Sequence, residues 1–169
     1  MINPNSNVSL SSTSALAMSE IIPYKELKFV IMHCPDDVHS AWTISKLIEF
    51  KIHHVFRLCE QSYDVVPYNK NDIEIHDEIK FQDGGIPSKE QVKTWLQIVD
   101  TLGHETIAVH CVSGIGRAPV MVALAFIHKG MDPLECIEHI RKYRRRALNN
   151  VQINYLSEFE EKKPCCPIQ

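Results

Sequence analysis

The sequence predicts a single α/β domain, with a central, mostly parallel sheet flanked by helices on both faces. Three observations carry that expectation. The 169 residues suit one compact core. Short runs rich in Val, Ile and Phe alternate along the chain with segments whose apolar residues recur every three or four positions. Such alternation calls for right-handed crossovers between parallel strands, which leaves helices on both faces of the sheet.

Residues 1–20, MINPNSNVSLSSTSALAMSE, are rich in Ser and Asn and poor in aromatics, so they are expected to be disordered and outside a domain spanning 21–161. LKFVIMH at 27–33 opens that domain as a buried strand, closed by Pro35, Asp36 and Asp37. Trp42, Ile44, Leu47 and Ile48 then recur at helical spacing, and IHHVFRLC at 52–59 is the second strand. From Glu60 to Ser88 the chain is polar and turn-rich, so long loops are expected around a short strand-like IEIHDEI at 73–79. Ser88 caps a helix over 88–102, Gln91 reaches back to close a capping box, and Val92, Trp95, Leu96 and Val99 form the buried stripe. Gly103 stops it. TIAVH at 106–110 is a short buried strand, and APVMVALAFIHKG at 118–130 is an apolar helix that must be central. Asp132 and Pro133 start another helix with Leu134, Ile137 and Ile140 facing inward. A last helix over about 150–160 uses Val151, Tyr155, Leu156 and Phe159. Residues 162–169 form a tail.

The net charge of −3, with 18 Lys plus Arg against 21 Asp plus Glu, gives no reason to expect a nucleic-acid partner. Six cysteines without a CxxC pair, behind a start that lacks a secretory pattern, point to a reduced, cytoplasmic setting. No apolar run approaches the length of a membrane-spanning helix.

The chemistry concentrates in HCVSGIGRAPV at 110–120. It lies at the carboxyl end of a strand and opens a helix, where an open α/β sheet binds ligands. Gly114 and Gly116 permit backbone geometry in which the amides of Val112, Ser113, Gly114, Ile115 and Gly116 turn inward as an anion nest, reinforced by the positive helix end. Cys111 would be held as the nucleophilic thiolate by those amides and by Arg117, whose guanidinium can fork onto two phosphoryl oxygens. The constellation suits phosphoryl transfer to sulfur, with no cofactor and no metal ion expected. His110 either orients the loop and tunes the thiolate or is a buried histidine satisfied by backbone. Ser113 is expected to supply its amide rather than its hydroxyl. RKYRRR at 141–146 places five positive charges after the fourth helix, either as a solvated helix end or as a surface for phosphorylated substrates or anionic headgroups. Cys34 and Cys136 are expected to be small core residues rather than metal ligands.

HCVSGIGRAPVMVALA, FRLCEQSYD at 56–64, FQDGGIPS at 81–88 and the tail CCPIQ together resemble the phosphatase of regenerating liver (PRL) family of cysteine-dependent protein tyrosine phosphatases, over about residues 23–169. The resemblance implies the dual-specificity-like phosphatase fold. It also implies Cys111 as the nucleophile of a phosphocysteine intermediate, Arg117 as the phosphate clamp, and Asp83 as the general acid. Without it, Asp83 reads as a plain turn residue. The family usually carries two adjacent aspartates there, and this chain has Gln82 before Asp83. Most cysteine phosphatases place Ser or Thr after the arginine to help the sulfur leave; Ala118, shared with the PRL family, implies slow breakdown of the intermediate. Cys59 matches a family cysteine that forms a reversible disulfide with the nucleophile. Glu60 is either a partner that orients Arg117 or a solvated loop glutamate. CPIQ fits a farnesylation box with Cys166 as acceptor, placing the protein on plasma or endosomal membranes. The implied substrate is a phosphotyrosyl protein, with phosphoserine, phosphothreonine and phosphoinositide as further candidates and a homo-oligomer as a candidate assembly. Two other readings stand beside the enzyme: a binding regulator whose pocket engages a cyclin M-type magnesium transport mediator, and a sulfur-transfer or arsenate-reducing enzyme, against which Asp83 and the flanking motifs argue.

Overall fold

A computed structural model describes residues 18–159. The chain runs β1 (Ile22–Tyr24), β2 (Leu27–Met32), α1 (Ser40–Glu49), β3 (Ile52–Arg57), α2 (Val66–Asn69), β4 (Glu74–His76), α3 (Lys89–Leu102), β5 (Thr106–His110), α4 (Arg117–His128), α5 (Pro133–Tyr143) and α6 (Asn150–Ser157). The sheet order is β1-β2-β5-β3-β4. Among the five strands of the described residues only the β1–β2 pairing is antiparallel, so the sheet is mixed but mostly parallel, as expected. β1 has no counterpart in the sequence reading, because IPY is too short to show alternation and carries Pro23, a residue that suits an edge strand.

β2 and β5 are central and buried on both faces, which is why they read as unbroken apolar runs. Phe29, Ile31, Ile107 and Val109 face a core closed by Trp95 of α3, the apolar α4, Ile140 of α5 and Leu156 of α6. Val30, Met32 and Ala108 face the other core, against Ile44 and Leu47 of α1 and Tyr68 of α2. The capping box at Ser88 and Gln91 forms as the sequence predicts.

Several expectations change. Met18 bridges Met32, and Ser19 exchanges bonds with Ile31, its amide donating at 2.8 Å and its hydroxyl accepting at 3.0 Å, so the ordered domain begins before residue 21. Residues 1–17, and the tail with Cys166, lie outside the described residues. Leu134 is 63% exposed and Val151 61% exposed. At 100° per residue Leu134 stands about 120° round α5 from Ile140, and Val151 about 140° round α6 from Leu156. Cys136, Ile137 and Ile140 form the inner face of α5, and Gln152 takes the inward place on α6. Ile48 is exposed as well, and Thr43 joins Ile44 and Leu47 on the buried side of α1.

Candidate active site

The turn between β5 and α4 is pinned from outside by its carbonyls. Cys34 N–H donates to the Val112 carbonyl (3.0 Å) and Leu148 N–H to that of Ile115 (2.7 Å). Arg144 donates through Nη2 to the Ser113 carbonyl and through Nε to that of Gly114, both at 3.1 Å. Four successive carbonyls are therefore drawn outward, which turns the amides of the same peptide units, Ser113 through Gly116, the other way. That is the backbone geometry that the sequence leads one to expect of an anion nest. Val112 and Ile115 put their side chains into solvent, whereas Cys111 is fully buried at the floor. Gly114 is required at its place: φ is +66°, and an added Cβ would lie 2.5 Å from the Met32 carbonyl oxygen.

Arg117, the first residue of α4, is 7% exposed. Its Nη1 donates to the carbonyls of Leu58 (3.1 Å) and Phe81 (3.3 Å), and its Nη2 meets Asp83 Oδ1 at 3.3 Å. Among the described residues its buried Nε has no partner, a donor left over for a bound anion. One guanidinium thus touches the exit of β3 and the loop carrying Asp83. That aspartate is 75% exposed, so little packing opposes its rotation. Its loop is fastened behind it, with Asn149 Nδ2 donating to the Gly84 carbonyl (2.9 Å) and Gln152 Nε2 to that of Gly85 (3.0 Å). Ala118 is fully buried under the loop.

His110 is fully buried, and its Nε2 pairs with Tyr63 Oη at 2.8 Å, a side-chain partner rather than backbone alone. Burial pushes the Tyr63 hydroxyl up from its ordinary range, which keeps it a neutral partner. Cys59 is buried and reduced, and its Sγ lies 3.9 Å from that of Cys34. The two thiols titrate as a unit. Their shared hydrogen bond favours the first thiolate, lowering Cys34, and opposes the second, raising Cys59. Cys34, the half-buried member of this pair, is not a plain core residue. Cys136 is one, buried against the Ala123 carbonyl, its thiol pushed up to about 12 by burial. Glu60 does not orient Arg117: its side chain is 91% exposed and reaches Lys80 at 3.9 Å, because the chain leaves β3 with Leu58 turned inward and Glu60 outward.

A buried thiol under an amide nest, with a guanidinium at the rim and a movable carboxylate beside it, can bind a phosphate monoester, accept its phosphoryl group and protonate the leaving oxygen. Known proteins agree. A family model described as "Polymorphic toxin system, DSP-PTPase phosphatase" matches residues 30–131. The "Probable protein tyrosine phosphatase type IVA A" of Dictyostelium discoideum is 39% identical over 140 residues, covering 80% of this chain and 84% of that protein. The chain belongs to the PRL, or type IVA, family of protein tyrosine phosphatases. Among solved structures, a putative protein tyrosine phosphatase from Leishmania major has a TM-score of 0.71 at 30% identity, covering 80% of this chain and 89% of its own. PTPMT1 in complex with PI(5)P has a TM-score of 0.64 at 19% identity, covering 79% and 90%, a likeness of fold.

As a PRL-family member the protein is a cysteine-dependent tyrosine phosphatase with the dual-specificity-like fold. Its site contains residues that the sequence reading missed. Arg144 lies inside RKYRRR, where composition shows charge but not which arginine turns inward; burial lowers its pKa, while the two loop carbonyls hold it in place. Arg141 is also engaged, donating to the carbonyls of Ala147 (2.9 Å) and Leu148 (3.1 Å), which leaves Arg145 and Arg146 as the exposed arginines beyond it. Asn149 and Gln152 did carry a signal: N-x-x-Q before a helix is a capping box, and both side chains complete it while also holding the Asp83 loop.

Proposed function

We propose that this PRL-family phosphatase hydrolyses phosphotyrosine in two steps through a phosphocysteine at Cys111. The supporting observation is Arg117, which ends the Cys111 loop and whose guanidinium meets Asp83 with Nε uncommitted. A phosphoryl group in the nest takes over Arg117 and releases Asp83 toward the leaving oxygen. Cys111 Sγ attacks phosphorus, the P–O bond to the phenol breaks, and Asp83 delivers the proton to that oxygen. Water then attacks phosphorus with Asp83 as base, the P–S bond breaks, and inorganic phosphate leaves. Ala118 offers the departing sulfur no hydroxyl, so the second step is slow. Cys59 is a redox partner of Cys111 in this reading, and prenylation of Cys166 would bring the site to a membrane. The phosphoinositide held by the PTPMT1 structure makes PI(5)P the second substrate to assay beside a phosphotyrosyl peptide.

Quenched single-turnover kinetics with intact-mass detection tests the scheme. A burst of phenol close to one equivalent and an adduct one phosphoryl group heavier at Cys111 are expected, followed by slow steady-state release. Undiminished phosphate release by Cys111→Ser would refute it.

A further inference from the structure

Cys34 and Cys59 lie just past the ends of β2 and β3, far apart in sequence and without metal-ligand spacing. Folding brings their sulfurs to 3.9 Å, and Cys59 Sγ to 4.0 Å from His110 Nδ1. The three donor atoms all lie within 4.8 Å of one another. We propose that Cys34, Cys59 and His110 bind a zinc ion, beside the Cys111 nucleophile but not using it.

The spacing is that of a ligand set with the ion removed. Tetrahedral zinc, with Zn–S of about 2.3 Å and Zn–N of about 2.0 Å, places two sulfurs about 3.8 Å apart and a sulfur and a nitrogen about 3.5 Å apart. The sulfur–sulfur edge already matches to about 0.1 Å and the Cys59–His110 edge must shorten by about 0.5 Å, while the Cys34–His110 edge, which lies within 4.8 Å, needs at most about 1.3 Å. Two packed thiols would carry no such reading alone, but the histidine is already oriented for it. In the tautomer whose Nε2–H donates to Tyr63 Oη at 2.8 Å, the Nδ1 lone pair is presented to the sulfurs, and the hydroxyl takes the outer position that a carboxylate, carbonyl or water fills behind other ligating imidazoles. The other neighbour of Nδ1, the Cys111 carbonyl, is 3.4 Å away, too far to compete strongly for a proton there. Ser62 Oγ lies 3.1 Å from Cys34 Sγ and can donate to a thiolate.

The donor chemistry selects the ion. Two thiolates and a neutral imidazole favour zinc over magnesium or calcium, and the two negative charges balance the ion, so the pocket gains no net charge. The protons of both thiols leave to solvent on binding. Cys59 and His110 are buried while Cys34 is half-buried, so the ion enters, and keeps its fourth coordination position, on the Cys34 side. An ion there ties the exits of β2 and β3 to the residue preceding Cys111 and withholds Cys59 from thiol–disulfide exchange.

The test uses the full chain carrying Cys111→Ser, Cys165→Ser and Cys166→Ser, which leaves Cys34, Cys59 and the buried Cys136 as its thiols. After stripping with chelator, titration with Co²⁺ is expected to give one equivalent of a thiolate-to-cobalt charge-transfer band that Zn²⁺ bleaches. Adding Cys34→Ser weakens Co²⁺ binding at least tenfold, and Tyr63→Phe, which keeps all three ligands, weakens it by about tenfold. Far-UV circular dichroism establishes that each variant folds. Should Tyr63→Phe not fold, Cys34→Ser at the half-exposed rim decides. Absence of the band in the starting protein, or an undiminished band in its Cys34→Ser form, overturns the site. The readout is metal binding in a protein without its nucleophile, so it stands or falls separately from the phosphatase scheme.

Discussion

Gly114→Ala tests whether the geometry of the loop, rather than its residue composition, makes the site. The added Cβ would lie 2.5 Å from the Met32 carbonyl oxygen, 3.0 Å from its carbon and 2.7 Å from Arg144 Nη2. A carbon and a carbonyl oxygen approach to about 3.3 Å at closest, so the loop and the end of β2 must part by roughly 0.8 Å. The left-handed φ of +66° costs an alanine a further ~1–3 kcal/mol. With one Arg144 bond to the loop strained or lost, the total is about 2–5 kcal/mol, within the stability of an ordinary domain. The shift falls on the amides that face the phosphoryl oxygens, and a displacement near 1 Å at reacting atoms costs on the order of 100-fold. Phosphatase kcat/KM on a small aryl phosphate is therefore expected to fall on the order of 100-fold in a protein that still folds, with urea denaturation reporting the stability loss in parallel. Activity within threefold of the parent would refute the reasoning. So would a loss no larger than the unfolded fraction explains.

Arg144→Lys keeps the charge but cannot reach the Ser113 and Gly114 carbonyls through a rigid fork, so kcat/KM should fall about tenfold with a stability loss of about 1–3 kcal/mol by urea unfolding. Ala118→Ser should raise steady-state turnover by about tenfold while leaving the burst intact, since a hydrogen bond to the departing thiolate contributes about 1.5–3 kcal/mol; quench-flow separates the two phases. Glu60→Ala should leave activity unchanged and stability within about 0.5 kcal/mol, because the side chain is 91% exposed and does not meet Arg117. Asp77 pairs with the buried Arg57 at 2.8 Å, which holds its carboxyl below the usual range. A depressed carboxylate stabilises the fold above its unfolded pKa near 3.9, and that contribution is lost as pH falls through the lower folded value. Asp77→Asn should therefore be less stable than the parent at neutral pH, by no more than about 1 kcal/mol because the half-exposed carboxylate is screened by solvent, with the two stability curves converging in acid.

What the sequence made legible is what local patterns encode. The capping box at Ser88, the strand at Thr106–His110 and the apolar α4 each follow from period and cap chemistry within a few residues, and so did the nest between Cys111 and Arg117. Contacts between distant segments were not legible. Leu134 and Val151 fit a loose apolar spacing, but only the direction of the packed neighbour shows which side of the helix is inward. Nothing in RKYRRR distinguishes Arg144 from its neighbours, and no spacing announces that Cys34 and Cys59 come within 3.9 Å. Glu60 illustrates the converse: of the two readings that the sequence left open, a partner of Arg117 or a solvated loop glutamate, only the direction of the chain past β3 selects the second.

The segment from Arg144 to Gln152 explains how Cys111 and Asp83, the proposed nucleophile and acid on separate loops, keep their relative position. Arg144 and the Leu148 amide hold three carbonyls of the Cys111 loop, while Asn149 and Gln152 hold two carbonyls of the Asp83 loop. To do so the chain adopts positive φ at Arg146 (65°) and Leu148 (70°), each a conformation costing ~1–3 kcal/mol that the surrounding bonds must offset. Every one of those loop contacts is to backbone carbonyl, so the floor of each loop is fixed while the Asp83 side chain, 75% exposed, stays free to swing between Arg117 and a leaving group. Rigid floors and one mobile carboxylate are what two successive proton transfers in opposite directions require. The chemistry proposed for Cys111 and Asp83 is therefore framed by residues that belong to neither motif.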